Sequence, residues 1–139
     1  MSPATSVRVG VDLAEVDRVA RLLAEHPGRE AELFSPAEIA YCRRKRHSAV
    51  HFAGRFAAKE AVLKAVGTGL GPRMRWTDVE IVNEPWGKPS VRLHGEVAAH
   101  AGRRGLTAID VSLTHSPSLA VAGVVTTWSL PEEKTCAST

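Results

Sequence analysis

Nothing between Phe52 and Val66 breaks a helix, and the residues carried there set most of what this chain can become. The stretch from Gly54 to Gly69 reads GRFAAKEAVLKAVGTG; alanine, leucine and lysine favour helix, and Gly67 is placed to stop it in the C′ position. At about 100° per residue, Phe52, Phe56, Leu63 and Val66 share a stripe that should face a core. Glu60 lies roughly 60° to one side of that stripe and Lys64 roughly 100° away on the same side, so both stand at the edge of the buried face. Lys59 drops inside the stripe, where an ammonium needs a snorkelling route or an anionic partner. A polyphosphate ligand would supply that partner, and the Gly67-Thr68-Gly69 turn offers backbone N–H groups to phosphate oxygens. The plainer alternative is surface support, since Arg55 and Lys59, like Glu60 and Lys64, stand i,i+4 and Glu before Lys is an ordinary helix pair.

The flanking segments supply a sheet. Val7 to Leu13 alternates, with Val7, Val9, Val11 and Leu13 on one face and Arg8, Gly10 and Asp12 on the other, so it reads as a strand carrying Asp12 near its end. Val16 to Glu25 reads as a helix with Arg18 and Arg21 on its outer face, stopped by Pro27 and Gly28. Ser35-Pro36-Ala37-Glu38 is a capping box with proline at N1, opening a helix that runs into the basic Arg43 to Arg46 cluster. Val79 to Val82 and Ser90 to Leu93 form a hairpin around Glu84-Pro85-Trp86-Gly87, followed by a short helix from Gly95 to Arg104. Ala108 to Thr114 alternates again, and Leu119 to Val125 is a nearly continuous apolar strand suited to a central or interface position. Helices interleaved with a late antiparallel run predict the α+β class, a small antiparallel sheet with packed helices.

At 139 residues the chain should hold one domain over 1–128, with a polar, aperiodic and disordered tail over 129–139. No run reaches the roughly 18 apolar residues of a membrane span, and no signal pattern opens the chain, so the expectation is a cytoplasmic protein that does not engage a membrane. Two cysteines, Cys42 and Cys136, do not make a disulfide or zinc framework. Eighteen Lys and Arg against fifteen Asp and Glu give a net charge of +3, which permits an anionic partner without requiring nucleic acid.

Asp12 at a strand end and Glu60 at a helix edge are the two carboxylates to pair. Magnesium suits such a pair, because it takes one or two protein carboxylates and completes its octahedron with waters and substrate phosphates. Asp12 has a second reading, as N-cap of the helix that begins near Val16. His115 follows a strand and precedes the Ser116-Pro117 turn, a position from which it reaches a ligand or simply solvent. Gly87-Lys88-Pro89 reads likewise, as ligand contact or hairpin turn.

Taken together, GVDLAEVDRV (Gly10 to Val19), FSPAEIAYC (Phe34 to Cys42), AGRFAAKEAVLKAVGTGLG (Ala53 to Gly71), DVEIV (Asp78 to Val82), GKP (Gly87 to Pro89) and DVSLTHS (Asp110 to Ser116) resemble the small 4′-phosphopantetheinyl transferases of the holo-acyl-carrier-protein synthase type. The pieces stand in the family order and cover about residues 7–128; Ser116-Pro117 departs from the more polar continuation common after the histidine, and the tail matches nothing. The resemblance implies transfer of 4′-phosphopantetheine from coenzyme A to a serine of an apo acyl carrier protein, with release of 3′,5′-ADP. By the same match, Asp12 and Glu60 would hold Mg²⁺ and serve catalysis, with Glu60 or a water it positions taking the serine proton. Lys59, Lys64 and Gly67-Thr68-Gly69 would bind the nucleotide and its phosphates, and Arg55, Gly87, Lys88, Pro89 and His115 would complete the coenzyme pocket. A single unit of this size implies a homotrimer with sites at the subunit interfaces, and Arg18 and Arg21 would dock an acidic carrier.

Two other readings stand beside it. A small basic nucleic-acid-binding protein would use the Arg43 to Arg46 run, but it leaves Asp12, Glu60 and the glycine turn idle, and aromatic residues are only 5% of the chain, too few for a stacking platform. An inactive carrier-binding module is disfavoured because no metal or lysine position of the pattern is missing. Whether the carrier serves fatty acid, polyketide or peptide synthesis is left open by the residues.

Overall fold

Helix α4, Ser48–Val66, begins one turn earlier than the unbroken stretch required and is the axis of the molecule. In the computed structural model, which describes residues 5–129, it lies on one face of a three-stranded antiparallel sheet. The chain runs β1 (Thr5–Glu15), α1 (Val16–Glu25), α2 (Arg29–Leu33), α3 (Pro36–Arg43), α4, a 3₁₀ turn at Trp76–Asp78, β2 (Val79–Asn83), β3 (Pro89–Leu93), α5 (Gly95–Arg103), β4 (Leu106–His115) and β5 (Leu119–Ser129). The sheet order is β1-β5-β4, so the apolar last strand is central as expected, and β2-β3 form a separate antiparallel hairpin. The α+β class with a small antiparallel sheet holds. Short α2 was not legible beforehand, and β5 runs through Ser129, one residue into the expected tail; the remaining tail, 130–139, lies outside the described residues. No helix among the described residues is long and apolar enough to cross a membrane.

Two features of α4 depart from an amphipathic surface helix. It is enclosed nearly all round, with Ala53, Ala57, Ala58, Ala61, Val62 and Ala65 fully buried beside Phe52, Leu63 and Val66 of the expected stripe. Those alanines let strands approach closely, and β1 exploits this at Gly10: a Cβ there would fall 2.0 Å from the Ala61 carbonyl oxygen. Only glycine permits that approach. Asp12 lies two residues further along the same face and is carried against α4 with it. At its C-terminus α4 stops at Gly67, whose φ of 90° is left-handed and whose N–H donates to the Leu63 carbonyl, as the sequence predicts.

The inner face of β5 presents Ala120, Ala122, Val124, Thr126 and Trp128 to the core. Trp128 donates its indole N–H to Thr126 Oγ1 at 2.7 Å, and Thr126 in turn donates to the Arg8 carbonyl, so the largest core side chain carries its one polar atom satisfied. The outer face is a different matter. Val7, Val9, Val11 and Leu13, the regular apolar face of β1, are 54–73% exposed, and Leu119 and Val125 of β5 stand beside them. The alternation is as read, but the face toward the core is the one carrying Arg8, Gly10, Asp12 and Ala14.

Candidate active site

Asp12 and Glu60 meet where β1 passes α4. The N-cap of α1 is Glu15, without a side-chain cap bond, so Asp12 does not serve as a cap and its carboxylate is free to face the helix. Lys64 reaches across to Asp12, Nζ to Oδ1 2.7 Å, and also donates to the Val11 carbonyl at 3.1 Å. The surface-support reading of Glu60 and Lys64 therefore gives way to an inter-element contact: the ammonium turns to the strand. Partial burial, then the charge and hydrogen-bonding influence of Asp12, hold Glu60 above the usual carboxylate range, with Lys64 opposing. The hydrogen bond to Asp12 pushes Lys64 above the ordinary lysine value.

Two oxygen-donor side chains that repel one another, with a lysine ammonium bonded to one of them, are a fit for a hard divalent ion that keeps waters and takes phosphate oxygens. Among the described residues no group of three or more His, Cys, Asp or Glu is placed to hold a metal ion. The pair lines a cleft of about 630 Å³ bounded by the end of β1, helix α1 and Phe56 of α4. Arg18, Arg21 and His26 line its far side, with Val19 and Leu22 between. Both arginines are exposed, as the helix periodicity predicts. The Gly67-Thr68-Gly69 turn follows one helical turn beyond Lys64, with Gly67 and Gly69 exposed and Gly69 also at positive φ.

Lys59 is corrected by the structure. It is completely buried, its Nζ donating to Glu38 Oε1 at 2.7 Å, to the Trp76 carbonyl at 3.2 Å and to the Val79 carbonyl. Its anionic partner is thus a carboxylate of α3, and no face of the ammonium is open to a phosphate. Glu38 was legible only as half of the capping box, which it does form with Ser35. Its second oxygen also accepts from Ile81 N–H at 3.1 Å, tying α3 to the hairpin. A lysine inside an apolar stripe signals a buried partner; nothing in the sequence says which of fifteen acids supplies it.

The remaining predicted residues form a second group. Arg55 is buried, its guanidinium stacked 3.8 Å from the Tyr41 ring centroid and hydrogen-bonded to Asn83 Oδ1 of β2. Lys88 pairs with Asp110 of β4, whose carboxyl it holds below the usual value. Gly87 turns the hairpin at φ 94°, Pro89 opens β3, and exposed His115 ends β4 against His51 of α4. Asn83, Asp110, Tyr41 and His51 escaped the sequence reading, because each is engaged through a contact distant in the chain. Arg55, Lys88 and His115 do not line the cleft that holds Asp12 and Glu60.

Residues 8–122 match the 4′-phosphopantetheinyl transferase superfamily. A holo-[acyl-carrier-protein] synthase of Solibacter usitatus is 43% identical over 120 residues, 86% of this chain and 96% of that protein. One of Geobacter sulfurreducens is 47% identical over 117 residues, 84% of this chain and 93% of the relative. Among solved structures, the ACPS–CoA complex of Chronobacterium ammoniagenes superposes with a TM-score of 0.81 at 28% identity, covering 90% of this chain and 99% of that one.

Proposed function

The chain belongs to the 4′-phosphopantetheinyl transferase superfamily, and from that premise we propose that it moves 4′-phosphopantetheine from coenzyme A to a serine of an apo acyl carrier protein, releasing 3′,5′-ADP. The observation that carries this reading is the Asp12–Glu60 carboxylate pair with Lys64 bonded to Asp12, the pair lining a cleft of about 630 Å³. In the transfer, the serine oxygen forms a bond to the phosphorus that bears pantetheine, the bridging P–O bond to the adenosine side breaks, and 3′,5′-ADP leaves as the anion. Asp12 and Glu60 would hold Mg²⁺, which when bound neutralises charge on the pyrophosphate. Glu60, or a water it positions, takes the serine proton. Lys64 and the Gly67-Thr68-Gly69 N–H groups meet phosphate oxygens, stabilising charge as it shifts to the leaving group. Arg18 and Arg21, exposed on the cleft wall, attract an acidic carrier and orient its serine toward the pair.

Incubating an apo carrier protein with the chain, coenzyme A and Mg²⁺ tests the whole reading by mass. One phosphopantetheine group should be added per carrier, and Arg18→Glu with Arg21→Glu should raise the carrier KM and flatten its salt dependence without weakening coenzyme binding. Carrier binding with no added mass would instead favour an inactive carrier-binding module.

The same reading includes a homotrimer. Arg55, Lys88 and His115 lie apart from the acid pair, so a coenzyme touching both groups is best met by neighbouring copies, and the exposed apolar face of β1 and β5 is the surface such copies would share. Val9 and Val125 are cross-strand partners at its centre. Val9→Glu with Val125→Glu is expected to yield monomers in sedimentation experiments and to abolish transfer with assembly. A wild-type monomer that is fully active removes this part of the proposal.

A further inference from the structure

One turn before Arg55 on α4, His51 is held between two rings from distant parts of the chain. The Tyr41 ring of α3 meets it edge-on, centroids 6.0 Å apart at 79°, and His115 at the end of β4 meets it at 5.8 Å and 65°. Tyr41 is itself covered by cations, Arg55 at 3.8 Å and Lys45 at 4.9 Å from its centroid. Lys45 comes from the turn between α3 and α4, and His47 is the N-cap residue of α4. The groups acting on the half-buried His51 imidazole are therefore all basic: Arg55, His115, Lys45 and His47. Burial first, and then these neighbours in the same direction, lower its pKa below the ordinary histidine value. The His51 imidazole thus stands where basic groups of α4, β4 and the α3–α4 turn gather, and an anion arriving there opposes their effect.

We propose that His51 is the proton-taking member of the coenzyme site, gaining a proton as a coenzyme A phosphate settles against His115; this rests on the reading that His115 lies on the coenzyme side. A phosphomonoester carries a charge of about −1.5 to −2 at neutral pH, and an opposite charge within a few ångströms raises a histidine pKa by about 1–3 units. The sign follows from linkage. The free protein holds the proton weakly and the complex holds it firmly, so coenzyme affinity rises as pH falls through the interval between the two pKa values. Below that interval the histidine contribution is flat. The phosphomonoester titrates near pH 6 in its own right, a contribution common to wild type and variant that cancels in their comparison. His51 is a positioning and charge-supplying residue here, and the transferring phosphorus need not touch it.

The experiment measures the His51 pKa by NMR, with the imidazole resonance assigned through the backbone, in free protein and in protein saturated with coenzyme A. Calorimetric titration with coenzyme A in two buffers of different ionisation enthalpy then counts protons taken up. The expected result is a His51 pKa raised by about one unit or more on binding. Proton uptake near neutral pH should fall in His51→Phe, whose ring keeps the contacts with Tyr41 and His115. The pH dependence of the coenzyme Kd should flatten in the same variant. A His51 pKa unmoved by saturating coenzyme A, or equal proton uptake in wild type and His51→Phe, overturns the proposal. Absence of coenzyme binding strikes the coenzyme reading itself, whereas binding without a His51 shift refutes only the role assigned to this residue.

Discussion

Replacing Glu60 with Gln is expected to lower transfer by about 10²- to 10³-fold, the scale of removing one preorganised charge-stabilising group, while leaving the metal-free protein at least as stable as before. The two halves of that expectation have one cause. Glu60 sits partly buried against Asp12, and its carboxyl titrates above the usual range for that reason. A carboxyl raised in this way stabilises the fold only when protonated: the contribution is fully present below the ordinary value of 4.5 and is lost as pH rises through the raised one. The ionised Glu60 carboxylate is therefore a cost to folding that the amide of Gln relieves. Mg²⁺ should relieve it too, raising the wild-type Tm by mass action, and should raise that of Glu60→Gln less. Asp12→Asn is expected to lose transfer similarly and to drop Glu60 back toward the ordinary carboxylate range. Thermal melts with and without Mg²⁺, beside the rate of carrier modification, check each half separately. Near wild-type transfer at limiting Mg²⁺, or a full Mg²⁺ response in the melts, would sink the role of Glu60 as a metal-binding carboxylate.

Elements with a local cause were readable from the chain. The α1 boundaries, the Ser35 capping box, the Gly67 stop and the hairpin about Gly87 each rest on residues within a few positions of one another. Asp12 and Glu60 were paired from their places at a strand end and a helix edge, and the resemblance supported the pair, but nothing local says that β1 passes that turn of α4; Gly10 against Ala61 is the physical reason it does. Periodicity located the apolar face of β1 but not its direction. The alanine-rich helix packs closely against the face carrying Arg8, Gly10 and Asp12 and leaves the valines exposed. The partners of Lys59, Arg55 and Lys88 lie about 20 or more residues away and were beyond any local pattern.

Lys59→Met is expected to lose about 3–5 kcal/mol of stability, because it strands the Glu38 carboxylate in the core without its counter-charge. For a domain of this size that is a fall in Tm of roughly 10–20 °C. Glu38 is 1% exposed and accepts from Ser35 N–H, Ile81 N–H and Lys59 Nζ; with the ammonium gone, two backbone donors face a charge that burial opposes. The carbonyls of Trp76 and Val79 lose a donor in the same step. Adding Glu38→Leu to Lys59→Met removes the stranded charge, and most of the lost stability should return, since a buried ion pair replaced as a unit by apolar side chains is often neutral. The non-additivity of this cycle is what separates the core-pair role from direct phosphate binding. A lysine that served the coenzyme would give a single variant of near wild-type Tm with a weakened coenzyme Kd, and a double variant no more stable than the single. Chemical denaturation of the two single variants and the double, with coenzyme A titrated into each, distinguishes the cases. Because Lys59 fastens α4 to α3 and β2 while its neighbour Glu60 faces β1, any transfer lost in Lys59→Met should recover with stability in the double variant, and recovery of the fold without recovery of transfer would assign Lys59 a part in the site after all.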